Sequence, residues 1–254
     1  LFCGVTLIIS ASGYLINDYY DYEIDLHNQV KKSKLSKKNL LSWYIGFVVI
    51  GGIFALYISN TIDKWNLFLI YPFAIILLYW YSKQLKYHGL AGNMIVAGFT
   101  AFVTLILFVA EPVLLHSKEI VIREAAEILI AFSIFSFIAN LIREIIKDIE
   151  DREGDKIKHS RSIPITLGIK KTKILLNFLI LVLIVLLTYW TFAFDLNNFR
   201  SIIFNCIFLL APLVLSFLRL YHAITNPDFH HLSTFYKWVM ISGLISLVIT
   251  NSNT

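Results

Sequence analysis

The chain opens LFCGVTLIISASGYLINDYYDYEID, Leu1–Asp25, an uncharged apolar run over 1–16 that passes directly into a segment holding Asp18, Asp21, Glu23 and Asp25. A run that is apolar on all sides marks a helix surrounded by protein core or by lipid. Seven more such runs follow, at 40–62, 65–82, 89–110, 128–142, 174–194, 201–218 and 238–250, most of them near the roughly 20 residues that cross a hydrocarbon core. With 57% hydrophobic and 15% aromatic residues and a mean hydropathy of +0.71, the chain is too apolar for a soluble protein of 254 residues. Lipid offers no hydrogen bonds to an open backbone, and the runs are continuous rather than alternating, so helices are expected and a barrel is not. The reading is an all-α polytopic membrane bundle of about eight transmembrane helices forming one domain over residues 1–254.

The first residue is Leu and the first apolar run is already under way there, so the chain is expected to be N-terminally truncated, with a helix missing. Neither a basic flank nor a small-residue cleavage site marks a signal peptide. Cys3 and Cys206 both lie inside apolar runs and are read as buried small hydrophobes. The segments 18–39, 83–88, 143–173 and 219–237 hold 18 of the 22 Lys and Arg residues. They follow the first, third, fifth and seventh runs and therefore fall on one side of the membrane, which the positive-inside rule makes cytoplasmic. Basic charge at the ends of membrane helices reports topology, and nucleic acid is not expected as a partner.

Two acidic clusters share that side. Asn17, Asp21 and Asp25 recur every four residues and would form one polar stripe on a helix. In REIIKDIEDREGD, Arg143–Asp155, the spacing of Asp148, Asp151 and Asp155 predicts a second stripe of the same kind. Carboxylates at a helix C-terminus oppose the macrodipole and repel one another, so a cation is needed to offset them. Mg²⁺ suits this role, because it takes one or two carboxylates and completes its shell with water and phosphate oxygens. Two such stripes would hold Mg²⁺ around a diphosphate and stabilise the charge that develops as it departs. A diphosphate at the end of a lipid-lined bundle points to an isoprenoid tail.

These residues resemble the UbiA superfamily of intramembrane prenyltransferases, whose members carry N-x3-D-x3-D after one helix and D-x3-D after a later one. Asn17, Asp21 and Asp25 match the first motif, and Asp151 and Asp155 match the second. SRSIPITLG, Ser160–Gly168, and YSKQLKYHGLAGN, Tyr81–Asn93, look like two further family stretches. The resemblance implies nine transmembrane helices around a central cavity in the intact fold. It also implies Mg²⁺ held by Asn17, Asp21, Asp25, Asp151 and Asp155, with the four aspartates catalytic. Asn17, Lys86, Arg143 and Lys147 are implied as contacts to the diphosphate. The expected activity is prenyl transfer, of the EC 2.5.1 class, from a prenyl diphosphate to a lipid or aromatic acceptor in the cell inner membrane, with the active site facing the cytoplasm.

Local likeness favours the branch that adds geranylgeranyl to a glycerol-phosphate lipid, with aromatic acceptors of the quinone, haem or chlorophyll pathways as the alternative. A carboxylate-coupled transporter is a further alternative, although its charges would lie near the midplane on broken helices in inverted repeats. The loop LHNQVKKSKLSKKN, Leu26–Asn39, departs from the family by lacking Arg, Pro and Gly. Its Lys31, Lys32 and Lys34 lack the bidentate fork of Arg. Tyr79 and Tyr81 are candidates for facing an allylic cation. Asp148 is expected to orient the second motif, act on the acceptor, or pair with Lys147 or Arg152. His222, His230 and His231 are read as interfacial polar residues rather than ligands.

Overall fold

The computed structural model describes residues 2–27, 35–157, 161–194 and 199–251, and every regular element among them is helical. Seven helical segments are long and apolar enough to cross a membrane: Lys37–Thr61, Trp65–Lys83, Leu90–Ala110, Ile120–Glu150, Ile169–Ala193, Phe199–His222 and Asn226–Ile249. The first apolar run lies in α1, Phe2–His27, whose last turns are given over to the acidic stripe. The described residues gather into two compact units, Leu1–Lys86 and Tyr87–Thr254.

In the first unit α1 packs on α2, Lys37–Thr61, and on α3, Ile70–Lys83. Ser36 caps α2, accepting a hydrogen bond from the Asn39 amide. Pro72 sits in the first turn of α3, where its missing N–H is tolerated, and does not kink the helix interior. The three helices meet closely at Gly51: a Cβ there would stand 2.6 Å from Tyr71 Oη and 2.8 Å from Ile8 Cγ2. That space lets the Tyr71 hydroxyl donate to Val48 O at 2.6 Å.

In the second unit α6, Ile120–Glu150, is the central element. It packs against α4, Leu90–Ala110, and against α9, Ile169–Phe194, and α12, Asn226–Asn251. Its 31 residues extend well beyond the apolar run at 128–142, because strong helix formers such as Ala, Glu, Arg and Lys flank that run on both sides. Ala139, Ile142, Ile145 and Ile146 are fully buried along its inner face, against Leu176, Ile180 and Leu183 of α9 and Tyr236 of α12. The short α5, Val113–His116, precedes α6, and α7, Arg152–Ile157, and α8, Ile163–Thr166, follow it. The span Phe199–His222 is formed by α10, Phe199–Asn205, a π-helical turn at Cys206–Leu210, and α11, Ala211–His222. Pro212 lacks the N–H that would bind the carbonyl one turn earlier, which accounts for an irregular turn at that place.

Candidate functional site

In the first unit the acidic stripe forms a closed set of hydrogen bonds. Asn17 and Asp21 lie four residues apart on one face of α1, and Asn17 Nδ2 donates to Asp21 Oδ2 at 3.1 Å. Lys86, on a 3-10 turn after α3, donates from Nζ to Asp21 Oδ1 at 2.8 Å and to Asn17 Oδ1 at 3.2 Å. The Asp21 and Lys86 side chains are only 10% and 11% exposed, so the ion pair is largely screened from water. Two oxygen-bearing side chains of the first motif thus close on a cation. Asp25 lies on the backbone of α1, but its side chain is outside the described residues, as are Lys31, Lys32 and Lys34. Glu23 turns away from the stripe to pair with Lys37 of α2 at 2.9 Å. Tyr79 makes an edge contact with Tyr20, ring centroids 5.8 Å apart, and carries Lys83 over its face at 5.9 Å.

In the second unit the expected continuous stripe is interrupted. Helix α6 ends at Glu150, Asp151 is its C-cap, and α7 begins at Arg152. Asp151 N donates to Lys147 O at 2.8 Å and Asp155 N to Asp151 O at 3.0 Å, so hydrogen bonds of the helical type bridge the junction. Gly154 and four charged side chains give this segment little apolar surface with which to prolong α6. Asp148 therefore lies on α6, half-buried, whereas Asp151 is exposed and Asp155 is half-buried on α7. Asp155, Glu144 and Asp151 are near enough for their charge to act on Asp148.

The partner of Asp148 is neither Lys147 nor Arg152. Asn93 on α4, 8% exposed, donates from Nδ2 to Asp148 Oδ2 at 2.7 Å. Arg152 pairs instead with Glu153 at 2.7 Å, and Lys156 joins it at 3.1 Å. These two cations hold the Glu153 carboxyl below its ordinary value. Lys147 is exposed and has no carboxylate partner among the described residues. Arg143 pairs with its neighbour Glu144, while its buried Nε has no acceptor. One turn earlier the buried Asn140 Nδ2 is also without an acceptor. Two unfilled donors three residues apart share a face of α6 and suit an anionic or carbonyl oxygen.

Three positions that bear on this geometry were not singled out by residue patterns: Asn93, Asn140 and Gly89. Gly89 has φ 55°, and a Cβ there would stand 2.3 Å from Arg161 O. It admits the chain after the second motif, where Arg161 N donates to Tyr87 O at 2.9 Å. The only signal was their place in Tyr81–Asn93 and on the polar side of α6. His230 is likewise specifically placed, with Nδ1 2.8 Å from Glu150 Oε1, and Ser233 Oγ donates to Glu150 Oε2 at 3.3 Å.

The donor set suits a hard cation. Carboxylate and amide oxygens are Mg²⁺ ligands, and Lys86 Nζ already occupies a cationic position between Asn17 and Asp21. Among the described residues no three His, Cys, Asp or Glu side chains converge as a ready-made metal cage.

Comparison with known proteins gives concordant matches. The model for the UbiA prenyltransferase family matches residues 1–241. Digeranylgeranylglyceryl phosphate synthase of Korarchaeum cryptofilum is 30% identical over 253 residues, covering 98% of this chain and 84% of that relative. The protein of the same name from Methanosphaera stadtmanae is 30% identical over 244 residues, covering 95% and 82%. The one from Saccharolobus solfataricus is 29% identical over 249 residues, covering 95% and 80%. A solved structure described as giving insights into digeranylgeranylglyceryl phosphate synthase in membranes aligns with a TM-score of 0.61 at 24% identity. It covers 96% of this chain and 83% of its own, a likeness of fold.

Proposed function

Because the chain belongs to the UbiA prenyltransferase family, we propose that it transfers a geranylgeranyl group from its diphosphate to geranylgeranylglyceryl phosphate. It is an integral membrane prenyltransferase. The acceptor follows from relatives named digeranylgeranylglyceryl phosphate synthase that match nearly its whole length. The family match runs through both compact units, which supports reading residues 1–254 as one prenyltransferase domain. The basic segments support a reading in which the ends of α1 and α6 face the cytoplasm, with the protein in the cell inner membrane.

The observation that carries the chemistry is the pair of oxygen donors from Asn17 and Asp21 closed on a cation. Both motifs contribute such donors: Asn17, Asp21 and Asp25 in the first, Asp151 and Asp155 in the second. Mg²⁺, when bound, supplies the Lewis acidity that makes diphosphate a better leaving group. Asn17 fixes the Asp21 carboxylate by hydrogen bonding. Lys86, Arg143 and Lys147 supply positive charge toward the diphosphate oxygens, Arg143 through a donor that has no protein acceptor. Asn93 fixes Asp148 and thereby the last turn of α6 before Asp151. The C1–O bond of the prenyl diphosphate breaks with its electron pair leaving on the diphosphate. The acceptor hydroxyl oxygen then bonds to the allylic carbon and its proton leaves. Tyr79 and Tyr20 offer aromatic surface near the first motif, and an aromatic face stabilises a cation by about 0.5–2 kcal/mol.

The test is transfer by membranes containing the protein, with labelled geranylgeranyl diphosphate, Mg²⁺, and geranylgeranylglyceryl phosphate beside an aromatic acceptor. Product on the glyceryl phosphate, lost with Asp21→Asn and with Asp151→Asn, is expected. Transfer to the aromatic acceptor alone, or transfer indifferent to both substitutions, would refute the assignment.

A further inference from the structure

Where α11 ends and α12 begins, Arg219, His222 and His231 line one cleft with the Asp228 carboxylate, and Lys173 lies close by. Lys173 of α9 donates to Ala223 O at 2.5 Å and Tyr221 O at 3.3 Å, at the end of α11. Arg219 exposes its guanidinium 5.6 Å over the ring of Phe235 and has no carboxylate partner among the described residues. His222 and His231 are both exposed. The carboxylate is Asp228, and it is already used: its Oδ2 accepts from Ile224 N at 2.9 Å and Thr225 N at 2.8 Å. This is the reach-back bonding that starts a helix, and it leaves Arg219 and the two imidazoles for another anion.

These groups line a cleft of about 640 Å³ whose other wall includes Leu232, Phe235 and Trp238. One wall of the cleft is apolar and aromatic although it lies at a helix connection: Trp238 in that wall is 64% exposed, and Tyr221 and Ile224, next in sequence to its lining residues, are 74% and 82% exposed. Aromatic and apolar side chains in that setting belong to the membrane–water boundary, where one end of a ligand is wet and the other lies in hydrocarbon. A free anion needs no such wall, whereas a phospholipid fits both halves of the cleft. We propose that this cleft binds an anionic phospholipid of the bilayer, with its phosphate against Arg219, His222 and His231. One acyl chain runs along Leu232, Phe235 and Trp238. His231 also lines a smaller cleft with Glu150 and Asp151, whereas Arg219, His222 and the apolar wall do not, and the proposal does not depend on the identity of the acceptor.

The experiment is native mass spectrometry of the whole protein released from nanodiscs holding equal amounts of phosphatidylglycerol and phosphatidylcholine with identical chains. The expected result is one retained phosphatidylglycerol, preferred by about fivefold, the worth of one basic side chain at a bilayer surface. Arg219→Gln with His231→Gln is expected to abolish the preference, and Lys237→Gln, outside the cleft, to leave it intact. Arg219→Lys keeps the charge without the fork and is expected to fall between the two. Should the double variant fail to fold, p-benzoylphenylalanine in place of Trp238 reads the same site in an otherwise native chain. Light should then attach phosphatidylglycerol in preference to phosphatidylcholine. Equal retention of the two lipids, an unchanged preference in the double variant, or loss of the lipid to excess inorganic phosphate would each overturn the proposal.

Discussion

Removing the Lys86 ammonium tests whether the first motif is a cation site. The Asp21 and Lys86 side chains are 10% and 11% exposed, joined at 2.8 Å, and Asn17 alone would remain to satisfy the carboxylate. Deleting one partner of a buried ion pair costs about 3–5 kcal/mol, because the other charge stays desolvated. The residual exposure and the Asn17 bond favour the lower end, about 3 kcal/mol. At about 2–4 °C per kcal/mol for a chain of this size, Lys86→Met should lower Tm by about 6–12 °C. Mg²⁺ should then occupy the vacated cationic position, and at ten times its Kd linkage would restore about 1.4 kcal/mol. The assay is thermal unfolding in mild detergent, with and without Mg²⁺, for native chain, Lys86→Met and Lys86→Met with Asp21→Asn. The double variant carries no uncompensated charge, so it should unfold above Lys86→Met and show no Mg²⁺ stabilisation. A Lys86→Met chain with native Tm, or equal Mg²⁺ stabilisation of the two variants, would refute the reasoning.

Asn93→Ala removes the donor to Asp148 and should cost about 1.5–3 kcal/mol, the worth of a hydrogen bond to a charged group; Asp148→Asn in the same chain should recover part of the lost Tm. Gly51→Ala brings a Cβ to 2.6 Å from Tyr71 Oη, so it should destabilise the first unit, and Tyr71→Phe should relieve the clash with the hydroxyl but not that with Ile8. Gly89→Ala should be poorly tolerated whatever else changes, since φ 55° and the 2.3 Å approach to Arg161 O both forbid a Cβ; protease cleavage after α7 would report it. The lowered Glu153 pKa means that its pairing with Arg152 and Lys156 is in force above its ordinary value of 4.5 and is lost as pH falls through the lower folded value; carboxyl NMR titration of the native chain against Arg152→Gln should show the lowering diminish.

The membrane helices were legible because lipid demands long uninterrupted apolar runs, and composition alone records them. The pairing of Asn17 with Asp21 was legible for a related reason: a spacing of four fixes a shared helix face whatever surrounds it. In the second motif spacing brought Asp148, Asp151 and Asp155 together but could not say where α6 stops. Asp151 became a C-cap once the polar, Gly-containing segment after Glu150 offered α6 nothing to pack. Asn93 was invisible as the Asp148 partner for a different reason. The contact joins α4 to α6 across 55 positions, and only tertiary packing brings those faces together. Lys86 was read as a contact to the diphosphate, and in the structure the anion it meets is Asp21, a difference of partner that leaves that reading standing.

That difference bears on how the site is kept ready. Asp21 is buried, and a buried carboxylate without a counter-charge would carry an uncompensated desolvation cost or distort the end of α1. Lys86 removes both outcomes while keeping the oxygens of Asn17 and Asp21 turned toward a common point. Were a metal and a diphosphate bound here, as proposed, Asp21 would turn its charge to the metal and Lys86 would meet a stronger anion in the diphosphate. A flexible ammonium with three donors can change partners in this way, whereas an arginine fork bonded to the carboxylate would resist it. Lys86→Arg should therefore keep the stability that Lys86→Met loses, yet raise the Mg²⁺ concentration needed for half-maximal transfer. Tm and a Mg²⁺ titration of prenyl transfer on the same preparation separate the two effects. A Lys86→Arg chain with native Mg²⁺ dependence would show that Lys86 holds Asp21 without giving way to the metal.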